Sequence, residues 1–207
     1  MSVMDSLQDL LHDELKDIYD AEKQLTKALP KLAKKASNKD LRGAFEGHLR
    51  ETQGHVERLE HIFKQLDMPV RGKKCEGMQH LIAEGNEMIS DCEDDDTRDA
   101  VMIAAAQKVE HYEIASYGTI RTWANLLGKG DVAAILEDIL EEEKAADVKL
   151  TSIAESFVNE AAIDDGEEDE EEEAGTSRGR TRASRTAAAR SGQPMSADRG
   201  RGNSPRS

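Results

Sequence analysis

The fold of this 207-residue chain is decided by residues 110–147, which read EHYEIASYGTIRTWANLLGKGDVAAILEDILEEEKAAD. The apolar residues of this stretch recur at intervals of three and four, the period of an α-helix, and GKGD at 128–131 interrupts them with a tight turn. Antiparallel helices joined by a short turn place residues that are equally distant from the turn side by side. Glu113 lies 16 residues before Lys129 and Glu143 lies 14 residues after it, so both carboxylates lie at one level of the hairpin.

The preceding part of the chain predicts a second hairpin and a crossover. Aromatic residues are only 3% of the chain and glycine and proline are sparse before residue 163, so residues 1–162 are expected to be all-α. Asn38, with Ser37, offers an N-cap for the second helix, and Pro30 predicts a kink in the first. Asp96 and Thr97 can cap the third helix.

The long helices are predicted at about residues 5–36, 38–66, 96–127 and from the turn at 128–131 to about 162. The segment MQHLIAEGNEMI at 78–89 is expected to form a short helix in the connection between the two hairpins. This connectivity is that of a ferritin-like four-helix bundle, built from two long helical hairpins with a short crossover helix.

A few acidic residues share a helix face with apolar residues. A protein core does not ordinarily accept ionised carboxylates, because removing their water costs several kcal/mol unless a partner charge or a metal replaces it. Glu22 lies on an apolar stripe of the first helix, and Glu14 is the next best inward candidate there. One face of the second helix holds His48, Glu51, Thr52 and His55. One stripe of the fourth helix holds Val132, Leu136, Ile139, Glu143, Ala146, Leu150 and Phe157, with Asp147 at its margin.

The two hairpins repeat one pattern of ligand-type residues. The first carries a glutamate and, 29 residues later, a Glu-x-x-x-His sequence, formed by Glu22, Glu51 and His55. The second carries a glutamate and, 30 residues later, a Glu-x-x-x-Asp sequence, formed by Glu113, Glu143 and Asp147, with Glu110 level with Asp147. This set predicts a site for two divalent ions such as iron or manganese, although bundles of this kind normally carry Glu-x-x-His.

A polar layer without metal is the alternative, with the carboxylates satisfied by Arg50, Lys108 or tyrosine hydroxyls. His48 and His111 are favoured as hydrogen-bonded neighbours of the layer rather than as ligands. The tyrosines are interpreted as core residues whose hydroxyls need partners, and Tyr19 and Tyr112 could carry an electron beside a redox metal.

Charge and composition limit the partners and the cellular location that can be expected. A net charge of -15 argues against the domain as a general binder of nucleic acid or anionic membranes. No apolar run approaches the roughly 20 residues that span a bilayer, and the start MSVMDSLQDL lacks the features of a signal peptide, so a cytoplasmic location is expected. Cys75 and Cys92 are interpreted as free thiols.

Residues 163–207 are predicted to be a disordered tail. The acidic block DDGEEDEEEE at 164–173 is followed by a segment at 177–207 with eight arginines and almost no large apolar residue. The arginine-rich half would contact nucleic acid, lipid head groups or an acidic partner, or the tail would only increase solubility.

Four runs resemble the YciE/YciF ferritin-like family of bacterial stress-associated proteins: DELKDIYDAEKQLTKALPKL, AFEGHLRETQGHVERLE, AAAQKVEHYEIASYGTIRTWANLLG and LEEEKAADVKLTSIAESFVNEAA. The resemblance covers about residues 3–162 and implies a homodimer with a dimetal centre in the bundle. Carried onto this sequence, the implied ligands are Glu22, Glu51, His55, Glu113, Glu143 and Asp147, with Glu110 replacing or joining Glu113.

Three functions are compatible with these patterns. The first is a dimetal carboxylate protein that reduces peroxide or oxidises ferrous iron. The second is a non-catalytic dimeric stress scaffold whose arginine-rich tail contacts nucleic acid or a partner. The third, iron storage, would require a hollow shell of many subunits.

Overall fold

The computed structural model describes residues 4–163, and these residues are almost entirely helical. The long helices are α1 (Leu7–Lys35), α2 (Lys39–Gln65), α4 (Asp95–Leu126) and α5 (Gly130–Ile153), and the shorter α3 (Glu76–Ser90) lies between the hairpins. A π-helical turn (Ala154–Val158) and a single helical turn, α6 (Asn159–Ala161), extend α5. The all-α prediction is confirmed. The acidic block and the arginine-rich segment, residues 164–207, lie outside the described residues.

The helices pack as two hairpins side by side. Helix α1 packs against α2 and α4 packs against α5, while α2 also contacts α5 and α1 contacts α4. Helix α3 packs on α4 and α1, as expected for a crossover helix. The ferritin-like four-helix bundle is therefore confirmed, with one apolar core between the four long helices.

Side-chain caps fix where the helices begin. The Oδ1 atom of Asn38 accepts hydrogen bonds from the backbone N–H groups of Asp40 and Leu41, which confirms the predicted N-cap of α2. The predicted cap of α4 is wrong: Asp94 is the N-cap, and its Oδ2 accepts from the backbone N–H of Thr97 at 2.7 Å. Asp96 cannot be the N-cap because it lies inside the first turn of α4, after the residue whose side chain caps the helix.

Two backbone features shape the ends of the second hairpin. Gly128 has φ +70°, the left-handed conformation that commonly ends a helix, and lets the N–H of Lys129 bond to the carbonyl of Ala124 at 2.9 Å. At the other end, the π-helical turn changes the phase of the helix. Phe157, predicted on the inner stripe, is therefore 42% exposed, and Val158 packs inward instead.

The turn between α1 and α2 is tied to the start of α4 by a buried carboxylate. Asp99 accepts hydrogen bonds from the backbone N–H groups of Ser37 (3.0 Å) and Asn38 (2.6 Å). This contact joins the two hairpins at one end of the bundle. Helix α1 continues through Pro30, and a kink there stays a prediction.

The structure also bears on the cysteines and on the apolar character of the helices. Cys75 and Cys92 are free thiols, as expected. Among residues 4–163, none of the helices combines the length and the apolar character needed to cross a membrane.

Candidate metal centre

Four glutamates lie inside the bundle at one level. Glu22 of α1, Glu110 and Glu113 of α4, and Glu143 of α5 are all buried. Their helices turn these positions inward because apolar residues three or four positions away face the core, as the sequence predicted. The structure thus brings together five of the seven predicted site residues: these four glutamates and His55, which is described next.

Two histidines of α2 lie between these carboxylates. The Nδ1 atom of His55 is 3.2 Å from Oε1 of Glu22 and 3.0 Å from Oε1 of Glu143. The Nε2 atom of His48 is 3.3 Å from Oε1 of Glu110 and 3.7 Å from Oε2 of Glu143. Both imidazoles therefore approach Glu143, which lies at the centre of the layer.

The residues of α2 that face the core differ from those predicted as ligands from the sequence. His48, Thr52 and His55 are buried, while the side chain of Glu51 is 51% exposed and lies 3.4 Å from Nδ1 of His48 on its outer side. A stripe with steps of four and three leaves the residue before Thr52 about 100° away from the core. The inward sequence is thus Thr-x-x-His, with threonine where bundles of this kind normally carry the glutamate of Glu-x-x-His.

Asp147 also lies outside the buried layer. Its Oδ1 accepts a hydrogen bond from the Gln107 side chain at 3.1 Å, and its Oδ2 is 3.5 Å from Nε2 of His111. His111 was expected to adjoin the layer, but its side chain is 69% exposed. The predicted Glu-x-x-x-Asp pair therefore consists of one buried residue, Glu143, and one residue at the margin of the buried face of α5, Asp147.

Hydrogen bonds from outside the layer orient two of its members. The hydroxyl of Tyr117, which is fully buried, donates to Oε1 of Glu22. On the other side, Nε2 of His55 is 2.8 Å from Oε2 of Glu142, whose carboxylate is held by Arg58. Tyr117, four residues after Glu113, is one of the tyrosines whose hydroxyls were expected to satisfy the carboxylates, whereas Glu142, directly before Glu143, was not singled out from the sequence.

Tyr19 and Tyr112 point away from the layer. The Tyr19 hydroxyl donates to Glu60 at 2.9 Å. The Tyr112 hydroxyl donates to Oδ2 of Asp17 at 2.8 Å and lies 3.0 Å from Sγ of Cys75. The side chain of Asp17 is only 14% exposed at this contact.

Burial and mutual charge shift the protonation of the layer. Desolvation raises the pKa of Glu110 to about 8 and also raises the pKa values of Glu22 and Glu113. For both histidines burial lowers the pKa, but the carboxylates around them outweigh it, so the pKa of His48 rises to about 9 and that of His55 to about 11. Without a metal, the layer therefore holds protons at neutral pH.

The donor atoms fit a cation. Eight buried side-chain N or O atoms of the layer lack a hydrogen-bond partner, including both oxygens of Glu113 and of Glu143. Among residues 4–163, no lysine or arginine pairs with the four buried glutamates: Arg50 is exposed and Lys108 pairs with Glu84. Two groups could hold a metal ion, with donor atoms within 4.8 Å of one another, and they share Glu143: Glu22, His55 and Glu143, and His48, Glu110, Glu113 and Glu143.

Comparison with known proteins agrees with the resemblance seen in the sequence. Residues 6–163 match the family described as Domain of unknown function (DUF892). Protein YciF of Escherichia coli (strain K12) is 49% identical over 158 residues, which are 76% of this chain and 95% of that protein. The crystal structure of the E. coli stress protein YciF matches 75% of this chain and 99% of its own chain with a TM-score of 0.72.

Two further solved structures are similar. YcfI from Rhodopseudomonas palustris is 44% identical, and the match covers 73% of this chain and 98% of that one with a TM-score of 0.71. A two-domain protein from Anabaena variabilis, with DJ-1/ThiJ/PfpI-like and ferritin-like domains, matches 77% of this chain and 39% of its own at 19% identity and a TM-score of 0.53. At this identity the second similarity shows the ferritin-like fold alone.

Proposed function

This chain belongs to the DUF892 family, and we propose that its buried layer binds two divalent ions, iron or manganese, and uses them for redox chemistry on peroxide or ferrous iron. The proposal includes a cytoplasmic homodimer with a role in stress; the similar E. coli protein YciF is described as a stress protein. The observation that carries the proposal is the charge of the layer: four buried carboxylates face only two histidines.

The cost of burying these groups supports a cation as the missing partner. Each buried carboxylate without a partner is destabilising by several kcal/mol, so a layer that contains four needs either protons or metal ions. Oxygen and imidazole donors suit iron and manganese, whereas the layer holds no thiolate that would favour softer metals. Glu143, which belongs to both groups, is suited to bridge two ions.

The residues around the layer have defined tasks in this proposal. Bound iron or manganese ions would each supply one electron, so a pair supplies the two electrons that reduction of a peroxide requires. Tyr117 orients Glu22 by donating its hydroxyl hydrogen, and Glu142 holds Nε2 of His55, which leaves Nδ1 directed at Glu22 and Glu143. Because His48 and Glu110 hold protons in the metal-free protein, metal binding must release protons.

Elemental analysis tests the proposal on protein purified without chelator. The wild type is expected to contain about two iron or manganese ions per chain, and Glu143→Gln is expected to lose most of them while it stays folded. Glu141→Gln is the matched control, because Glu141 is an exposed neighbour on the same helix that pairs only with Lys144. Metal content near zero in the wild type after anaerobic addition of Fe²⁺ or Mn²⁺ would rule out the site.

Glu51 and Asp147 stay predictions as ligands. Both lie within one helical turn of the layer, and rotation of a side chain on metal binding is the event that would recruit them. If they are recruited, Glu51→Gln and Asp147→Asn should bind less metal than the wild type, and metal content equal to that of the wild type would exclude both as ligands.

The second candidate function is a scaffold whose tail binds an acidic partner, and it is favoured by the eight arginines at 177–207. If this is correct, a chain that ends at residue 163 should lose binding to DNA or to an acidic partner, and binding by the full chain should weaken as salt rises. The measurement is made at about 150 mM salt, which is near the physiological ionic strength. If the shortened chain still binds under this condition, the tail is not the binding segment.

A further inference from the structure

A pocket of about 140 Å³ lies between α2 and α5, beside the proposed metal layer. Its inner end is formed by His48 and Glu110, both of which are buried. The Oε2 atom of Glu110 has no hydrogen-bond partner, and Nε2 of His48 has only the 3.3 Å and 3.7 Å contacts with Glu110 and Glu143, so the pocket ends on polar atoms with unused hydrogen-bonding capacity. We call it the Ala146 pocket, and the other residues that line it are Ala44, Phe45, Glu51, Glu142, Ala145, Ala146, Lys149 and Leu150.

A small residue at position 146 explains why the space exists. Ala146 follows Glu143 by three positions, which is where a Glu-x-x-His pair of a dimetal bundle carries its histidine. Here the imidazole is replaced by a methyl group, and Ala145 and Ala44 are also small. The protein therefore has an open position beside the layer instead of a further ligand.

The walls of the pocket define what could fill it. The buried part of the lining includes the apolar residues Ala44, Phe45 and Leu150, whereas the charged residues Glu51 and Lys149 are exposed and mark the mouth of the pocket. The lining holds three carboxyl groups, those of Glu51, Glu110 and Glu142, against one lysine, Lys149, so it offers an anion no cluster of positive charge and favours an uncharged molecule. The volume is close to that of an engineered protein cavity that binds benzene, which limits the occupant to a few heavy atoms.

We propose that the Ala146 pocket binds a short-chain alkyl hydroperoxide, with its alkyl group against Phe45 and Leu150 and its two oxygens toward His48 and Glu110. This inference rests on the proposed function and names the substrate class of the same site. In the reaction the O–O bond of the hydroperoxide would break, bound reduced ions would supply two electrons, and two protons would complete one alcohol and one water. The products are small and neutral, so they can leave by the same mouth.

Filling the pocket tests the inference in two ways. In the metal-free protein, tert-butanol serves as an unreactive probe, and saturation transfer from protein to probe is measured by NMR. In protein loaded anaerobically with Fe²⁺, single-turnover oxidation by tert-butyl hydroperoxide and by hydrogen peroxide is followed by stopped-flow absorbance. The variants are Ala146→Leu, the less bulky Ala146→Val in case the first does not fold, and Ala134→Leu as a control at an exposed alanine of the same helix.

Ala146→Leu is expected to remove saturation transfer to tert-butanol and to slow oxidation by tert-butyl hydroperoxide by about tenfold or more, since a single methylene in an apolar pocket already has effects of this size and leucine adds three carbons. Oxidation by hydrogen peroxide, which is much smaller, should slow less, and Ala134→Leu should match the wild type in both measurements. Unchanged probe binding in both Ala146 variants, or equal slowing of the two peroxides, would overturn the inference. Absence of metal in the wild type would instead refute the proposed function, and the metal-free NMR measurement would still decide whether the pocket binds the probe.

Discussion

The protonation of His48 makes the stability of the metal-free protein depend on pH. Its pKa is raised from 6.5 to about 9 because the hydrogen bond with Glu51 and the charges of Glu110 and Glu143 outweigh burial, which lowers the pKa. A raised pKa means that the folded state binds the proton more tightly, so this stabilisation is complete below pH 6.5 and is lost as the pH rises through 9. Glu110 acts in the same direction, because its pKa is raised from 4.5 to about 8.

We therefore expect the free energy of unfolding of the metal-free protein to fall between pH 6.5 and 9, by at most about 3 kcal/mol from His48. Urea unfolding followed by circular dichroism at several pH values would measure it. The change should be smaller in His48→Gln, whereas His111→Gln, at an exposed position, should retain it. An unfolding free energy that rises over this range would contradict the buried, protonated layer.

The inward-facing residues of the site could be predicted where a helical turn offers one polar candidate for the core. They could not be predicted where two adjacent residues are both candidates for the same inward position. Glu22, Glu113 and Glu143 follow from apolar neighbours and from their equal distance to a turn, and the structure buries all three. On α2 the sequence offers Glu51 and Thr52 side by side, and the helix phase that buries Thr52 also buries His48 and His55. Packing against the other three helices selects that phase, and a single helix does not contain this information.

Asp99 is the clearest case of one residue that holds two elements together. It is buried and accepts backbone hydrogen bonds from Ser37 and Asn38, at the turn where α1 passes into α2. Hydrogen bonds to a charged group contribute more than neutral ones, and the two amides would lose their partner if it were removed.

Asp99→Ala is accordingly expected to lower the free energy of unfolding by about 2–3 kcal/mol. Asp96→Ala is the control, since Asp96 is exposed in the same first turn of α4 and contributes only through the helix dipole, about 0.5 kcal/mol. Chemical denaturation of both variants gives the comparison, and equal losses would mean that the contact at the turn does not matter.

At the level of helices, the sequence predicted the number, order and approximate limits of the long elements because their apolar period is regular. The exact start of α4 was missed because the sequence EDDDT offers several aspartates, and only Asp94 is placed to reach the N–H of Thr97. The π-helical turn at 154–158 was missed because no residue type marks it, so the exposure of Phe157 followed from backbone geometry alone.

At the scale of the whole bundle, the candidate ligands come from all four long helices: Glu22 from α1, His48 and His55 from α2, Glu110 and Glu113 from α4, and Glu143 from α5. A cation held by this set can bind only when both hairpins are folded and packed together. Its binding free energy must therefore stabilise the complete bundle rather than one helix. An ion bound by exposed acidic residues of a single helix would not have this effect.

We expect Mn²⁺ at about one hundred times its dissociation constant to raise the free energy of unfolding by about 2.7 kcal/mol, with a corresponding rise in Tm. Amide hydrogen exchange distinguishes the buried layer from a surface site, because protection should increase together in α1, α2, α4 and α5. Glu143→Gln should lose both effects, and Glu141→Gln should keep them, since only Glu143 belongs to both groups of donors. A gain in protection confined to α5, or an equal response of the two variants, would show that the ion binds to the acidic surface of that helix instead.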